Sequence, residues 1–203
     1  MKPLSQGRKI HENIETPLNN VLIQSTEIMD PYMQTLNLNP TFLTLASFFC
    51  QLYGIQQLTL NNWGNSVFYL FIGLALDVYD GNFARRHNMT SNFGARLDSA
   101  TDLMTFIILM WVMFDRYSNK RCSVLVSFIL ILFIFSKFYS GCRDRYLGKK
   151  NESIIANQFK GMCNSMPEND LEGFVHKYKW LGTSHIYMLA IIVIFMFENK
   201  VIS

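Results

Sequence analysis

Charge is scarce in this chain. Only 16% of its 203 residues are Asp, Glu, Lys or Arg, while half are hydrophobic; a soluble domain would ordinarily carry about a quarter charged residues. Between Asp30 and Asp77 no charged residue occurs at all. One membrane-embedded domain accommodates both facts. Other absences narrow the function. Cys50, Cys122, Cys142 and Cys163 form no C-x-x-C pair, and two of them lie in or beside apolar runs, so they read as reduced packing residues. Residues 1–15 are polar, with Lys2, Arg8 and Lys9 but no apolar core or small-residue cleavage site, which argues against a secretory signal and leaves targeting to the first span. A net charge of +3, dispersed and not interleaved with aromatics, argues against nucleic acid. There is no glycine-rich phosphate loop, internal repeat or low-complexity tract.

What is present is a series of apolar runs of membrane length. Residues 41–58, 66–85, 93–114, 122–140 and 180–197 predict about five spans. Residues 59–65 separate the first two with turn-forming residues and an interfacial Trp63. Pro40 reads as a helix-start proline. Residues 16–38 mix Leu18, Val21, Leu22, Ile28 and Met29 with Asn20, Gln24 and Glu27, the pattern of helix lying on the interface, and Pro31 is expected to divide it in two. Residues 151–179 turn polar, with a break at 167–170, and predict a short amphipathic piece or an ordered loop. The expected fold is an all-α integral membrane protein, with residues 1–38 as a cytosolic, juxtamembrane segment carrying an amphipathic helix and residues 39–203 as the membrane domain.

Inside that apolar frame sit four carboxylates. Asp77 and Asp80 are three residues apart, and Asp98 and Asp102 are four apart, so on helices each pair shares one face. Gly81 and Ala84 extend the first face as a bare surface. A polar connection of about a dozen residues, carrying His87, Asn88, Thr90, Ser91 and Asn92, would let the two helices run antiparallel with the pairs facing each other. Two like charges about 4 Å apart repel by about 4 kcal/mol at an effective dielectric near 20. A divalent cation relieves that repulsion, and oxygen-only ligation suits Mg²⁺ or Mn²⁺. Ionisable residues at membrane depth are generally kept for such a purpose.

The spacing D-x2-D-G-x2-A-R-x8-G-x3-D-x3-D, eight fixed residues over 26 positions, resembles the signature of the CDP-alcohol phosphotransferase (CDP-alcohol phosphatidyltransferase) family of phospholipid-synthesis membrane enzymes. The resemblance implies that Asp77, Asp80 and Asp98 ligate a two-metal site holding Mg²⁺ or Mn²⁺ and that Asp102 is the base activating the acceptor hydroxyl. It further implies that Gly81, Ala84, Arg85 and Gly94 cradle the cytidine diphosphate of a CDP-linked lipid or alcohol. Six spans, contact with membrane lipid and a homodimer are implied as well. This chain keeps Pro40 and Thr44 of the family's first span but has Thr41 where an asparagine is usual.

Within the family, residues 93–102 and the length resemble phosphatidylinositol synthases, which take CDP-diacylglycerol and inositol. Residues 84–88 lean toward the choline and ethanolamine branch, which uses diacylglycerol, and Leu103 stands where many CDP-diacylglycerol users carry arginine. A non-catalytic lipid-binding protein is the alternative from another class. Arg85 reads either as a phosphate partner or as a counter-ion to the carboxylates. Lys137 reads as a snorkelling residue or a phosphate contact, residues 143–150 as a phosphate-binding or cytosolic-face stretch, and His185 as a packing histidine. With the motif loop in the cytosol, that side collects 13 Lys and Arg against 4 opposite, a positive-inside bias. The membrane is then endoplasmic reticulum-like or cytoplasmic, and the Asn88 and Asn151 glycosylation patterns stay unmodified.

Overall fold

The computed structural model describes residues 14–35, 38–116, 120–147, 161, 163 and 166–198. Among them every regular element is helical: α1 (Pro17–Thr35), α2 (Pro40–Thr59), α3 (Trp63–Arg86), α4 (Asn92–Arg116), α5 (Lys120–Tyr146), α6 (Glu168–Lys177) and α7 (Thr183–Glu198), with a 3₁₀ turn at Lys179–Leu181 before α7. Three helices, Trp63–Arg86, Asn92–Arg116 and the Ser123–Tyr146 part of α5, are long and apolar enough to cross a membrane. The other two expected spans are helical but less apolar or shorter. α2 carries Gln51, Gln56 and Gln57 in its 20 residues, and the apolar part of α7, Thr183–Phe197, falls below span length.

Local chemistry sets the helix ends. Asn39 caps α2 by accepting the Thr41 N–H at 3.0 Å, and Pro40 follows at the first helical position, where no N–H is needed. The cap is thus supplied two residues before position 41, where the family usually has its asparagine. Ser91 accepts the Gly94 N–H at 3.0 Å and opens α4. At the end of α3, Asn88 adopts a left-handed φ of 56°, and the Met89 N–H reaches back to the Ala84 carbonyl at 2.8 Å. That six-residue closure ends the helix sharply. The connection between α3 and α4 is therefore residues 87–91, far shorter than the dozen residues expected, because both helices extend into the polar stretch.

Pro31 does not divide the first helix. It lies inside α1. Proline removes the N–H that would bond the carbonyl of residue 27, but Glu27 and Pro31 are both exposed, so solvent or headgroups can satisfy that carbonyl. Leu22, Ile23, Thr26 and Asp30 form the buried face, while Val21, Ile28, Met29 and Tyr32 stay exposed as an apolar outer face, the arrangement of a helix seated on a membrane interface.

The main core joins α2, α3, α4, α5 and α7 through residues such as Leu58, Leu70, Phe106, Met113, Ile129 and Ile194. Phe106 stacks on Phe133 of α5 with centroids 3.6 Å apart and meets the edge of Tyr187 on α7. α3 lies closest to α2. Ser47 Oγ donates to the Gly73 carbonyl at 2.9 Å and accepts from Gln51 Nε2 at 3.0 Å. A Cβ on Gly73 would collide with the Gln51 side chain, so this glycine sets the approach. α4 also packs on α2, and no comparably close backbone approach joins α3 to α4. A gap is left between the two motif helices.

A smaller cluster holds α6 under the end of α5 through Leu171, Val175, Cys142 and Cys163. Cys142 and Cys163 form a disulfide with Cα atoms 5.5 Å apart, which corrects the reading of both as reduced. Spacing did not suggest the pair, since 21 residues separate them. Cys50 is free.

α1 is fastened to the end of α3 by charge. Asp30 Oδ2 lies 3.2 Å from Arg86 Nη1 and Oδ1 lies 3.0 Å from His87 Nε2. Burial alone would raise the Asp30 carboxyl, but the hydrogen bonds from His87 and Arg86 prevail and hold it below its ordinary value. A carboxyl depressed in the folded state stabilises above its unfolded pKa of about 3.9 and ceases to do so as pH falls through the folded value. Asp30→Asn is expected to cost about 1.5–3 kcal/mol at neutral pH. Thermal unfolding in detergent across pH checks this: the gap between variant and parent should close below about pH 4.

Candidate active site

The gap between α3 and α4 opens into a cavity of about 180 Å³. Asp77, Asp80, Asp98 and Asp102 all line it, with Gly81 and Arg85. Helical spacing accounts for the pairs: Asp77, Asp80 and Gly81 fall on one face of α3, and Asp98 and Asp102 on one face of α4. Asp77 and Asp102 approach closely enough to share a hydrogen bond, and Asp98 and Asp80 also bear electrostatically on Asp77. Asp80 is 3% exposed. The Thr44 hydroxyl and the Gly81 N–H face its carboxylate, yet its Oδ2 is buried with no hydrogen-bond partner.

That orphaned oxygen bears on whether the residues fit a metal. Among the described residues no three acidic, His or Cys side chains stand together as a ready-made ligand shell. The donor set itself fits a hard divalent cation: carboxylate oxygens only, one of them buried and unsatisfied, on two helices separated by a gap. Buried like charges held this close need a proton or a cation between them.

Not every residue implied by the resemblance lines the cavity. Ala84 and Gly94 do not. The Ala84 carbonyl closes the end of α3, and the Gly94 N–H is capped by Ser91. Gly81 is bare, but the space a Cβ would take lies 3.2 Å from Arg85 Nη1, so its first occupant is the Arg85 guanidinium. Arg85 interacts electrostatically with Glu15, Asp98 and Asp80.

Other cavity residues come from outside the motif. Glu15, Asn19 and Ile23 belong to the start of α1 or just precede it, Gln51 comes from α2, Arg143 from α5, and Thr183, Ser184 and Tyr187 from α7. The segment before residue 39 therefore contributes to the site. Tyr187 donates a 3.1 Å hydrogen bond to the backbone carbonyl of Asp102, tying α7 to the motif helix. Lys137 bears electrostatically on Asp77 and Asp102, and its Nζ lies 4.8 Å from the Phe133 ring centroid. It acts on the carboxylates without lining the cavity. A lone charge in an apolar span was the signal for Lys137; Tyr187 gave none, because nothing in its sequence surroundings marks a site. His185 lies against Trp180, ring centroids 5.6 Å apart. Lys149 and Lys150 lie outside the described residues.

Residues 37–201 match the family model described as CDP-alcohol phosphatidyltransferase. The chain is 39% identical over 71 residues to the CDP-diacylglycerol–serine O-phosphatidyltransferase of Bacillus subtilis (strain 168), covering 35% of this chain and 40% of that one. It is 29% identical over 127 residues to an uncharacterized protein of Aquifex aeolicus (strain VF5), covering 60% of this chain and 65% of the other. Each match thus spans less than two thirds of the relative's length. No solved structure matches the chain. With a family match that runs from the start of α2 through α7 and includes all four aspartates, the chain belongs to the CDP-alcohol phosphatidyltransferase family.

Proposed function

We propose that this protein is an integral membrane enzyme that transfers a phosphatidyl group from CDP-diacylglycerol to the hydroxyl of a small polar alcohol, with release of CMP. The observation that carries the reading is the meeting of Asp77 and Asp102, from different helices, in a cavity also walled by Asp80, Asp98 and Arg85. The family match supports the reaction type, and the name of the Bacillus relative supports the donor. The acceptor is open between the serine of that name and the inositol suggested by residues 93–102.

Asp77, Asp80 and Asp98 would hold two divalent ions, Mg²⁺ or Mn²⁺. Such ions, when bound, neutralise the diphosphate and the developing charge on the leaving group. Asp102 takes the proton of the acceptor hydroxyl. The acceptor oxygen then bonds the lipid-side phosphorus, the bond from that phosphorus to the bridging oxygen breaks, and CMP leaves with the electron pair. Arg85 pairs with a phosphate oxygen, and Lys137 offsets charge beside Asp77 and Asp102. Gly81 leaves the α3 face beside Arg85 without a side chain, open to the nucleotide, and Ala84 and Gly94 would meet it from beyond the cavity lining. The motif loop faces the cytosol, in line with the lysine and arginine bias, and the homodimer of the family would form through lipid-facing helix surface.

A diacylglycerol-dependent choline or ethanolamine reaction rests on residues 84–88. Two of those residues have another use, since Arg86 and His87 bind Asp30 on α1. A non-catalytic lipid-binding role has no need of Asp102 beside Asp77.

Reconstituted protein supplied with CDP-diacylglycerol and a panel of alcohols should release CMP with Mg²⁺ or Mn²⁺ and stop on chelation. Release indifferent to chelator would remove the metal reading, and tight CDP-lipid binding without turnover would favour the non-catalytic one. Asp102→Asn keeps the shape but cannot accept the proton, so single-turnover rate should fall by about 10²–10⁴-fold while metal-dependent donor binding persists. Asp80→Asn should weaken metal and donor binding together. Calorimetric titration of both variants separates the roles: equal losses of affinity would take Asp102 out of the role of base.

A further inference from the structure

Two charged groups in the cavity have no part in the chemistry described so far. Glu15 is 5% exposed, and both of its described hydrogen bonds, from the Thr16 N–H and from Asn19 Nδ2, fall on Oε1 at 3.1 Å. The groups that bear most on Asp77 are the other three aspartates and Lys137. Glu15 bears instead on Arg85 of α3 and on Tyr139 and His185, so it stands between the motif helix and the α5 and α7 end of the cavity. Thr16 holds it there: Thr16 is 1% exposed and presses on Gly182 at the head of α7, where a Cβ would collide with Thr16 Cγ2.

Arg143 occupies the same end. Its guanidinium lies 5.7 Å from the ring centroid of Tyr139, the phenol on which Glu15 also acts. Its side chain is 12% exposed, and its Nε is 3.9 Å from Asp144 Oδ1, beyond hydrogen-bond reach. Nε is buried without a hydrogen-bond partner, and Nη2 has a 3.3 Å contact to Ser140 Oγ. No ion pair joins Arg143 to Glu15 among the described residues. Glu15 has Arg85 and Arg143 has Asp144 as an opposite charge, yet Glu15 has no described hydrogen bond on its second oxygen and Arg143 Nε has none at all, so each keeps a hydrogen-bonding site for a ligand of opposite charge. An uncharged polyol would meet neither.

We propose that this end of the cavity is the acceptor subsite and that it takes a hydroxyl-bearing amino acid, its ammonium on the Glu15 carboxylate and its carboxylate on the Arg143 fork. The assignment rests on the reaction proposed above and names its acceptor class. A guanidinium holds a carboxylate through two parallel hydrogen bonds, and a carboxylate partly satisfied at one oxygen keeps the other for an ammonium. With both ends of the amino acid held, its hydroxyl is left to face Asp102. Thr183, Ser184 and Asn19 line the same cavity and complete a polar wall.

The test is CMP release from CDP-diacylglycerol by the full chain in Mg²⁺-containing proteoliposomes, with L-serine, glycerate, ethanolamine, myo-inositol and sn-glycerol 3-phosphate as acceptors. L-serine should exceed each of the others in kcat/KM by at least about 10²-fold, since a site built for a polar group rejects the analogue lacking it. Because this series uses the unaltered chain, it stands whether or not a variant folds. Glu15→Gln should bring serine down toward glycerate, and Arg143→Gln should bring it down toward ethanolamine. Greater turnover with inositol or glycerol phosphate overturns the subsite and leaves the proposed reaction intact. Equal losses for every acceptor in Glu15→Gln would make Glu15 a counter-ion of Arg85 and overturn it too. No release with any acceptor overturns the subsite and the proposed reaction together.

Discussion

Four carboxylates in an apolar bundle, two of them within hydrogen-bond reach across different helices, form the constraint on which the other features depend. Like charges at such separation repel by several kcal/mol, and packing alone gives no reason to retain them. The surrounding structure reads as a set of devices that hold them together without collapsing the gap. α3 is pulled onto α2 at Gly73, α4 packs on α2 as well, and Tyr187 of α7 ties the Asp102 backbone from the far side. The consequence is a cavity lined from six helices, with its acidic floor supplied by two of them.

Around that floor the cations are placed unevenly. Lys137 acts on Asp77 and Asp102, Arg85 on Glu15, Asp98 and Asp80, while Arg143 stands against Tyr139 at the far end. Such a gradient from acidic floor to mixed-charge end suits a diphosphate bridged by metal at one end and a smaller polar molecule at the other. The ion cluster of Asp30, Arg86 and His87 lies at the end of α3 and docks α1. By doing so it also holds Glu15, just ahead of α1, in the cavity. A juxtamembrane helix is in this way part of the site wall.

Helix positions were legible because hydropathy and length act on the chain locally: residues 93–114 could only be a span or a core helix, and α4 covers them. The pairing of carboxylates was legible for the same reason, since three- and four-residue spacing on a helix is geometry. What escaped depended on partners remote in sequence. Pro31 was expected to break α1, yet exposure of its turn makes the lost hydrogen bond tolerable. Cys142 and Cys163 meet only because α6 folds under α5. Glu15 reaches the cavity through the docking of α1 by Asp30 and Thr16, contacts remote in sequence.

The central claim is that the aspartates of α3 and α4 form one divalent-cation site. Manganese titration of the detergent-purified chain, followed by electron paramagnetic resonance with CDP-diacylglycerol present, tests it most directly. The account predicts two bound, magnetically coupled Mn²⁺ ions per chain, reduced in Asp77→Asn and in Asp98→Asn alike. Manganese that stays free, or that binds equally well in those variants, would contradict it.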